Sequence, residues 1–137
     1  MQVNIIVSPP VTLERSLFVS IKIDGMVRVA AATPHVKVAD CPYNKNEMAK
    51  MIREAAANGA SVIAFPELAM TGYTCGDLFL QRTLQQGALT GLQELLDASR
   101  ELDTVALVGL PLMVRGKLYN CAAVFCRGQL LGLVPKT

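Results

Sequence analysis

Apolar residues in this chain fall into short runs punctuated by Pro and Gly, with helical stripes between the early ones. Val27–Ala32 (VRVAAA), closed by Thr33 and Pro34, reads as a buried strand. Met48, Met51, Ile52 and Ala55 then recur at i, i+3, i+4 and i+7, which gives a helix with one apolar face. Asn44 offers a cap for that helix, Glu47 completes an N-x-x-E variant of the capping box, and Asn58-Gly59 closes it. The Met stripe is core packing rather than a ligand set. Ser61–Phe65 is the next strand, short and apolar enough to be buried on both faces. Strand, helix, strand makes a βαβ unit, hence parallel neighbours and a right-handed crossover.

A second helical region spans about Asp77 to Leu102, with Leu92, Leu95, Leu96 and Ser99 on its inner face. Gly87 and Gly91 mark a break or a close approach there. Thr104–Val114 is a strand expected to bend at Gly109 and Pro111, and Arg115-Gly116-Lys117 is a turn. Leu118–Cys126 returns, Arg127-Gly128 makes a tight hairpin turn, and Gln129–Val134 is a further strand. The switch from βαβ to hairpins predicts an α/β fold with a mixed sheet. Residues 1–24 do not fit this plan and form an unassigned N-terminal extension: Pro9 and Pro10 break the first apolar run, and Val19–Ile23 is a short edge strand or a disordered lead-in. Met26, directly ahead of the first clear strand, leaves that stretch an extension or a misplaced start.

Composition narrows the functional classes. With 137 residues, 52% hydrophobic and 18% charged, the chain is one domain or part of a larger one. A net charge of +2, no Lys/Arg run and no Trp argue against nucleic acid. No run of 18 apolar residues supports a membrane span. The start lacks the basic region of a signal peptide. Cys41, Cys75, Cys121 and Cys126 form no C-x-x-C pair and no zinc spacing, which suits a reducing cytoplasm and predicts no metal site. Neither GxGxxG nor GxxxxGK[ST] is present, so no dinucleotide or P-loop site is expected in this stretch.

The chemistry collects around Ser61–Asp77 (SVIAFPELAMTGYTCGD). Pro66 stops a buried strand and places Glu67 at its carboxyl end, where open α/β sheets gather ligands. On residue type alone Glu67 is either a structural cap or a catalytic group; partial burial there raises a carboxylate toward the range of a general base. Asp77 reads as a helix N-cap. Lys136 is by itself an ordinary solvated lysine, but it follows an apolar strand end as Glu67 does, so the two opposite charges can meet across a pocket. His35, the single histidine, lies beside Pro34 and reads as surface or structural. Cys75 is a tempting nucleophile with no obvious base other than Glu67, and Cys121 and Cys126 point to opposite faces of one strand.

At FPELAMTGY the chain resembles the nitrilase (carbon–nitrogen hydrolase) superfamily, and the ending GLVPK matches that family's lysine motif. VRVAAATPHVKVADCPYN, FPELAMTGYTCGDLFLQ and LYNCAAVFCRGQLLGLVPK look most like one branch, the N-terminal glutaminase domains of glutamine-dependent NAD synthetases. The resemblance implies a partial nitrilase-like αββα sandwich, with residues 25–137 as the N-terminal half of the domain. It implies Glu67 as proton acceptor and Lys136 as oxyanion stabiliser of a Glu-Lys-Cys triad, with Tyr73 a pocket wall. The family's nucleophilic cysteine lies some tens of residues beyond the lysine, where none of the four cysteines here falls. The implied activity is therefore glutamine hydrolysis feeding ammonia to ATP-dependent conversion of deamido-NAD to NAD, by a homo-oligomeric longer protein. ATP and Mg are implied only for the synthetase domain, and no cofactor for this stretch, which alone is expected to be inactive. Another amidase of the superfamily, or a non-catalytic half-domain binding a partner chain, are the alternatives.

Overall fold

The computed structural model describes residues 2–6 and 27–136. The order of elements is β1 (Gln2–Ile6), β2 (Val29–Thr33), α1 (Cys41–Ala57), β3 (Val62–Ala64), a 3₁₀ turn (Gly76–Leu80), α2 (Arg82–Ala98), β4 (Val105–Val114), β5 (Lys117–Cys126) and β6 (Gln129–Pro135). The six strands form one sheet in sequence order. β2, β3 and β4 are parallel, as the βαβ reading requires, while β1 and the β4–β5–β6 hairpins are antiparallel. This is the mixed α/β sheet that the switch from βαβ to hairpins predicts. β1 takes the first apolar run, which sequence reading left unassigned; Val19–Ile23 lies outside the described residues.

Both hairpins use two-residue Arg-Gly turns with positive φ throughout: 50° and 78° at Arg115-Gly116, 50° and 74° at Arg127-Gly128. Such turns carry the right-handed twist of their strands, and the second position falls to Gly because it lacks a Cβ. The second turn is also tied back to the end of α2, where the Gly128 N–H donates to Ser99 Oγ at 3.2 Å.

Among the described residues the core lies on one face of the sheet. Across four strands the register aligns Ala30, Ile63, Ala106 and Phe125, and all four are buried. The neighbouring row, Ala31, Ala64, Leu107 and Val124, points the other way and is exposed or half-buried. Met48, Met51 and Ile52 of α1 and Leu92, Leu95 and Leu96 of α2 cover the first row. Each such side chain contributes roughly 1.5–3 kcal/mol on full burial. Sequence reading expected the Ser61–Phe65 strand to be covered on both faces; α1 and α2 pack on the same side, and among the described residues no helix covers the other face. β6 is exposed along most of its length, with Leu131 and Val134 the most open of its large apolar side chains.

The helix boundaries correct two expected caps. α1 begins at Cys41 because Asp40 is the working cap: its side chain accepts from Tyr43 N–H at 3.0 Å, and Pro42 follows in the first turn, where it leaves no orphan donor. Asn44 is therefore inside the helix. It is fully buried, donates to the Lys37 carbonyl (2.8 Å) and the Met70 carbonyl (3.1 Å), and accepts from Lys37 N–H (2.8 Å). Asn58 and Gly59 (φ 73°) end α1 as expected. Asp77 is no α-helical cap either. It sits in the 3₁₀ turn, and Gln81, without a side-chain capping bond, precedes α2. The predicted helical region is thus split at Gln81, and it stays unbroken at Gly87 and Gly91. Those glycines serve close packing: a Cβ on Gly91 would lie 2.6 Å from Met70 Sδ.

Asn44 makes the first test of this scaffold. Asn44→Ala strands the buried Met70 carbonyl, at about 1–3 kcal/mol for an unsatisfied buried group, and takes the partner from both part-buried main-chain groups of Lys37. Urea denaturation is expected to show a loss of about 2–4 kcal/mol. A change under about 0.5 kcal/mol, the size of an ordinary surface substitution, removes the tie from the account.

Candidate active site

The site is built on the turn that follows β3. The Phe65 N–H still pairs with Leu107 O (3.0 Å), and Pro66, lacking an N–H, ends the ladder. The chain then coils tightly: Ala69 N–H donates to Pro66 O (3.2 Å), and Thr71 and Gly72 N–H both donate to Leu68 O (3.1 and 2.8 Å). Three outside contacts lock this coil. Met70 N–H donates to Gly109 O (3.0 Å), Ala39 N–H donates to Thr71 O (2.7 Å), and Asn44 holds Met70 O. Leu68 takes φ 54°, a left-handed conformation that costs a non-glycine residue on the order of 1 kcal/mol and persists only where the surroundings enforce it.

Gly109 is what lets the turn sit there. A Cβ at this position would stand 2.4 Å from Leu68 N, 2.7 Å from Pro66 O and 3.0 Å from the Glu67 carbonyl carbon. All three are main-chain atoms, so nothing flexible can yield. Sequence reading expected Gly109 to bend the strand; its use is the close approach of two backbones.

Glu67 leaves this turn and meets Lys136 at the end of β6. Lys136 Nζ lies 3.1 and 3.2 Å from the two carboxylate oxygens, and the Asn120 side-chain amide donates to Oε1. Lys136 is placed by its own main chain, whose N–H donates to the Asn120 carbonyl at 2.8 Å. The three side chains border an open cleft of about 330 Å³ on the uncovered side of the sheet, floored by Ala64, Leu107 and Ala122.

The electrostatics run opposite to the sequence expectation for Glu67. Its side chain is 38% exposed, not substantially buried. Hydrogen bonding from Lys136 holds its carboxyl below the usual carboxylate range; desolvation, the next largest influence, opposes it, and the smaller hydrogen bond from Asn120 adds to the lowering. Glu67 in turn pushes the Lys136 ammonium up, and the Tyr73 phenol acts in the same direction. The pair is thus a fixed carboxylate and a fixed ammonium.

Tyr73 is close enough to act electrostatically on Lys136, but it is largely exposed and does not line the cleft. His35 is exposed. The four cysteines are free thiols. Cys41 is buried and pushed up to about 11, chiefly by desolvation, with Cys75 beside it adding to the rise. Cys75 is buried and directs its Sγ to the Thr71 and Gly72 carbonyls, at 3.1 and 3.4 Å. Cys121 borders the cleft, yet it alternates with Asn120 onto the buried face, and burial raises its thiol. Cys126 lies at the far end of β5, near the Leu102 and Asp103 carbonyls. None of these thiols bonds to Glu67, whose partners among the described residues are Lys136 and Asn120. Asn120 is the site residue that sequence reading missed; its signal is an amide in the otherwise apolar run NCAAVFC, opposite the lysine.

The carbon-nitrogen hydrolase family profile matches residues 28–136, a span that contains every side chain of this site. The chain belongs to the carbon–nitrogen hydrolase family. It is 40% identical over 113 residues to the glutamine-dependent NAD(+) synthetase of Mycobacterium tuberculosis, an alignment covering 82% of this chain and 17% of that protein. Its fold superimposes on a crystal structure of a glutamine-dependent NAD(+) synthetase from Cytophaga hutchinsonii with TM-score 0.76 and 28% identity, covering 81% of this chain and 19% of that one. The NitN amidase of Nesterenkonia shares the fold, at TM-score 0.66, 18% identity and coverage of 82% and 44%. This carbon–nitrogen hydrolase chain therefore spans about one fifth of the length of the NAD synthetases it matches. Among its described residues no helix is long and apolar enough to cross a membrane.

Two outcomes follow from the geometry. A folded-state carboxyl below its unfolded value stabilises above the unfolded value, and that stability is lost as pH falls through the folded one. The melting-temperature advantage of wild type over Lys136→Met should accordingly be present at neutral pH and close in acid, as Glu67 is protonated. An advantage that persists in acid contradicts the pairing. Gly109→Ala, meeting rigid backbone, is expected to destabilise by about 1–3 kcal/mol and to remove the Glu67–Lys136 contact, read as an NMR cross-peak between their side chains. A stable variant that keeps the contact overturns the close-approach account.

Proposed function

We propose that this cleft is part of the glutaminase site of a glutamine-dependent NAD synthetase, with Glu67 as proton acceptor and Lys136 as the cation for the developing oxyanion. The observation that carries this reading is the Glu67–Lys136–Asn120 cluster, facing the open side of a carbon–nitrogen hydrolase sheet whose 40%-identical relatives are glutamine-dependent. Relatives known only at 18–19% identity support the fold and do not favour a simple amidase.

The chemistry then follows from charge and proton position. Glu67, held ionised, takes the proton of a cysteine thiol supplied from outside residues 28–136. The sulfur attacks the side-chain amide carbon of glutamine, and the carbonyl electron pair moves onto oxygen, beside the Lys136 ammonium. Collapse breaks the C–N bond, the Glu67 proton goes to the leaving nitrogen, and ammonia departs. Water, deprotonated by Glu67, cleaves the resulting thioester to glutamate and regenerates the thiol. The ammonia serves conversion of deamido-NAD to NAD elsewhere in the longer protein. ATP and magnesium belong to that second reaction. Among the described residues no three His, Cys, Asp or Glu side chains gather as metal ligands, so no step here is routed through the ion.

Without that thiol the covalent route is closed. The full chain alone should release no glutamate from glutamine above the buffer rate, measured by coupled glutamate oxidation. Co-expression with the remaining part of a carbon–nitrogen hydrolase domain from a similar NAD synthetase should restore hydrolysis. Glu67→Gln or Lys136→Met should then lower kcat by roughly a hundredfold or more. Clear turnover by the chain alone, or a complemented enzyme indifferent to both substitutions, overturns this reading.

A further inference from the structure

Asn120 touches both members of the ion pair by different means. Its side-chain amide donates to Glu67 Oε1, and its main-chain carbonyl accepts the Lys136 N–H at 2.8 Å. β5 makes this arrangement unavoidable once its register is set. Cys121 pairs with Pro135, so Asn120 stands opposite Lys136 and shares its face of the sheet. The same alternation points Cys121 to the buried face, so Asn120 alone on this strand end reaches Glu67.

The two oxygens of Glu67 are therefore not equivalent. Lys136 Nζ is almost equidistant from them, at 3.1 Å from Oε1 and 3.2 Å from Oε2. Asn120 breaks the tie, because its neutral N–H can only donate and takes up a lone pair of Oε1. The oxygen with the extra donor is the poorer proton acceptor. The amide also fixes the plane of the carboxylate, which one flexible lysine cannot do.

We propose that Asn120 is the positioning residue of this site: it clamps Glu67 Oε1 so that Oε2 is the oxygen that accepts the thiol proton. The role rests on the glutaminase reading for its purpose but not for its geometry. In the step concerned, the S–H bond breaks, its electron pair stays on sulfur, and the proton forms an O–H bond at Oε2. The main-chain link to Lys136 is independent of the side chain at position 120, so a substitution there separates the orientation of Glu67 from the placement of Lys136. Among the described residues, the charged or titratable groups that act on Glu67 are Lys136 directly and Tyr73 through Lys136.

The experiment is a carboxyl-detected NMR titration of Glu67 in the full chain, comparing wild type, Asn120→Leu and Asn120→Asp. The midpoint is expected to rise in Asn120→Leu, where the donor is lost, and further in Asn120→Asp, where a second carboxylate faces the first. The Lys136 backbone amide should keep its chemical shift in both. A purely structural Asn120 would lower the melting temperature and leave the Glu67 midpoint where it is in wild type, which overturns the proposal. Asn120→Asp, matched in shape, reads the same quantity if Asn120→Leu does not fold. The complemented glutaminase assay keeps the two ideas apart. Shifted midpoints without hydrolysis sustain Asn120 as positioner and sink the glutaminase reading, whereas hydrolysis with unmoved midpoints sinks the positioner alone.

Discussion

Everything at the site depends on two backbones touching where no side chain intervenes. β4 runs under the Pro66–Leu68 turn at Gly109, and the absent Cβ lets the turn settle onto the strand and bond to it through Met70. This contact sets the height of Glu67 above the sheet. It also enforces the left-handed backbone of Leu68, which the local sequence alone does not favour. Asn44 supports the same turn from the opposite side, so the helix that closes the βαβ unit also supports the carboxylate. Fold and site share their anchors.

The second half of the site arrives by sheet geometry. β6 returns antiparallel to β5, and its last residues bring Lys136 level with Asn120. Opposite charges 69 residues apart in sequence come within 3.2 Å of each other. The pair lies partly in solvent, and exposed ion pairs add little to stability. It favours the charged form of both groups, which the proposed proton acceptor and oxyanion partner require.

The open face of the sheet is part of the same picture. Helices cover the row Ala30, Ile63, Ala106 and Phe125, and the alternate row is left to solvent together with the cleft. The NAD synthetases that this chain matches are several times longer. Chemistry on the open side, with all four thiols buried or turned elsewhere, is the reason the proposed reaction needs a group from beyond these residues.

Period and punctuation in the sequence were enough for the strands from β2 onward, the apolar helix faces and both Arg-Gly hairpins, because each depends on near neighbours. They also placed Glu67 at a strand end, and the family motifs made Lys136 worth considering. Caps were less legible. Asn44 and Asp77 carry the right chemistry for capping, but Asp40 with Pro42 starts α1 a turn earlier, and the 3₁₀ turn takes Asp77. Local pattern alone determined β2 to β6, α1, the helical stretch that holds α2, and the candidate acid; β1 and the break at Gln81 came only with the structure. Only the tertiary structure decided that one face of the sheet stays open, that Gly109 seats the turn, that Lys136 and Asn120 converge on Glu67, and that its carboxyl is lowered instead of raised. Those facts depend on which strands lie side by side and in what register. Contacts of that kind span dozens of residues, and no short window of sequence contains both partners.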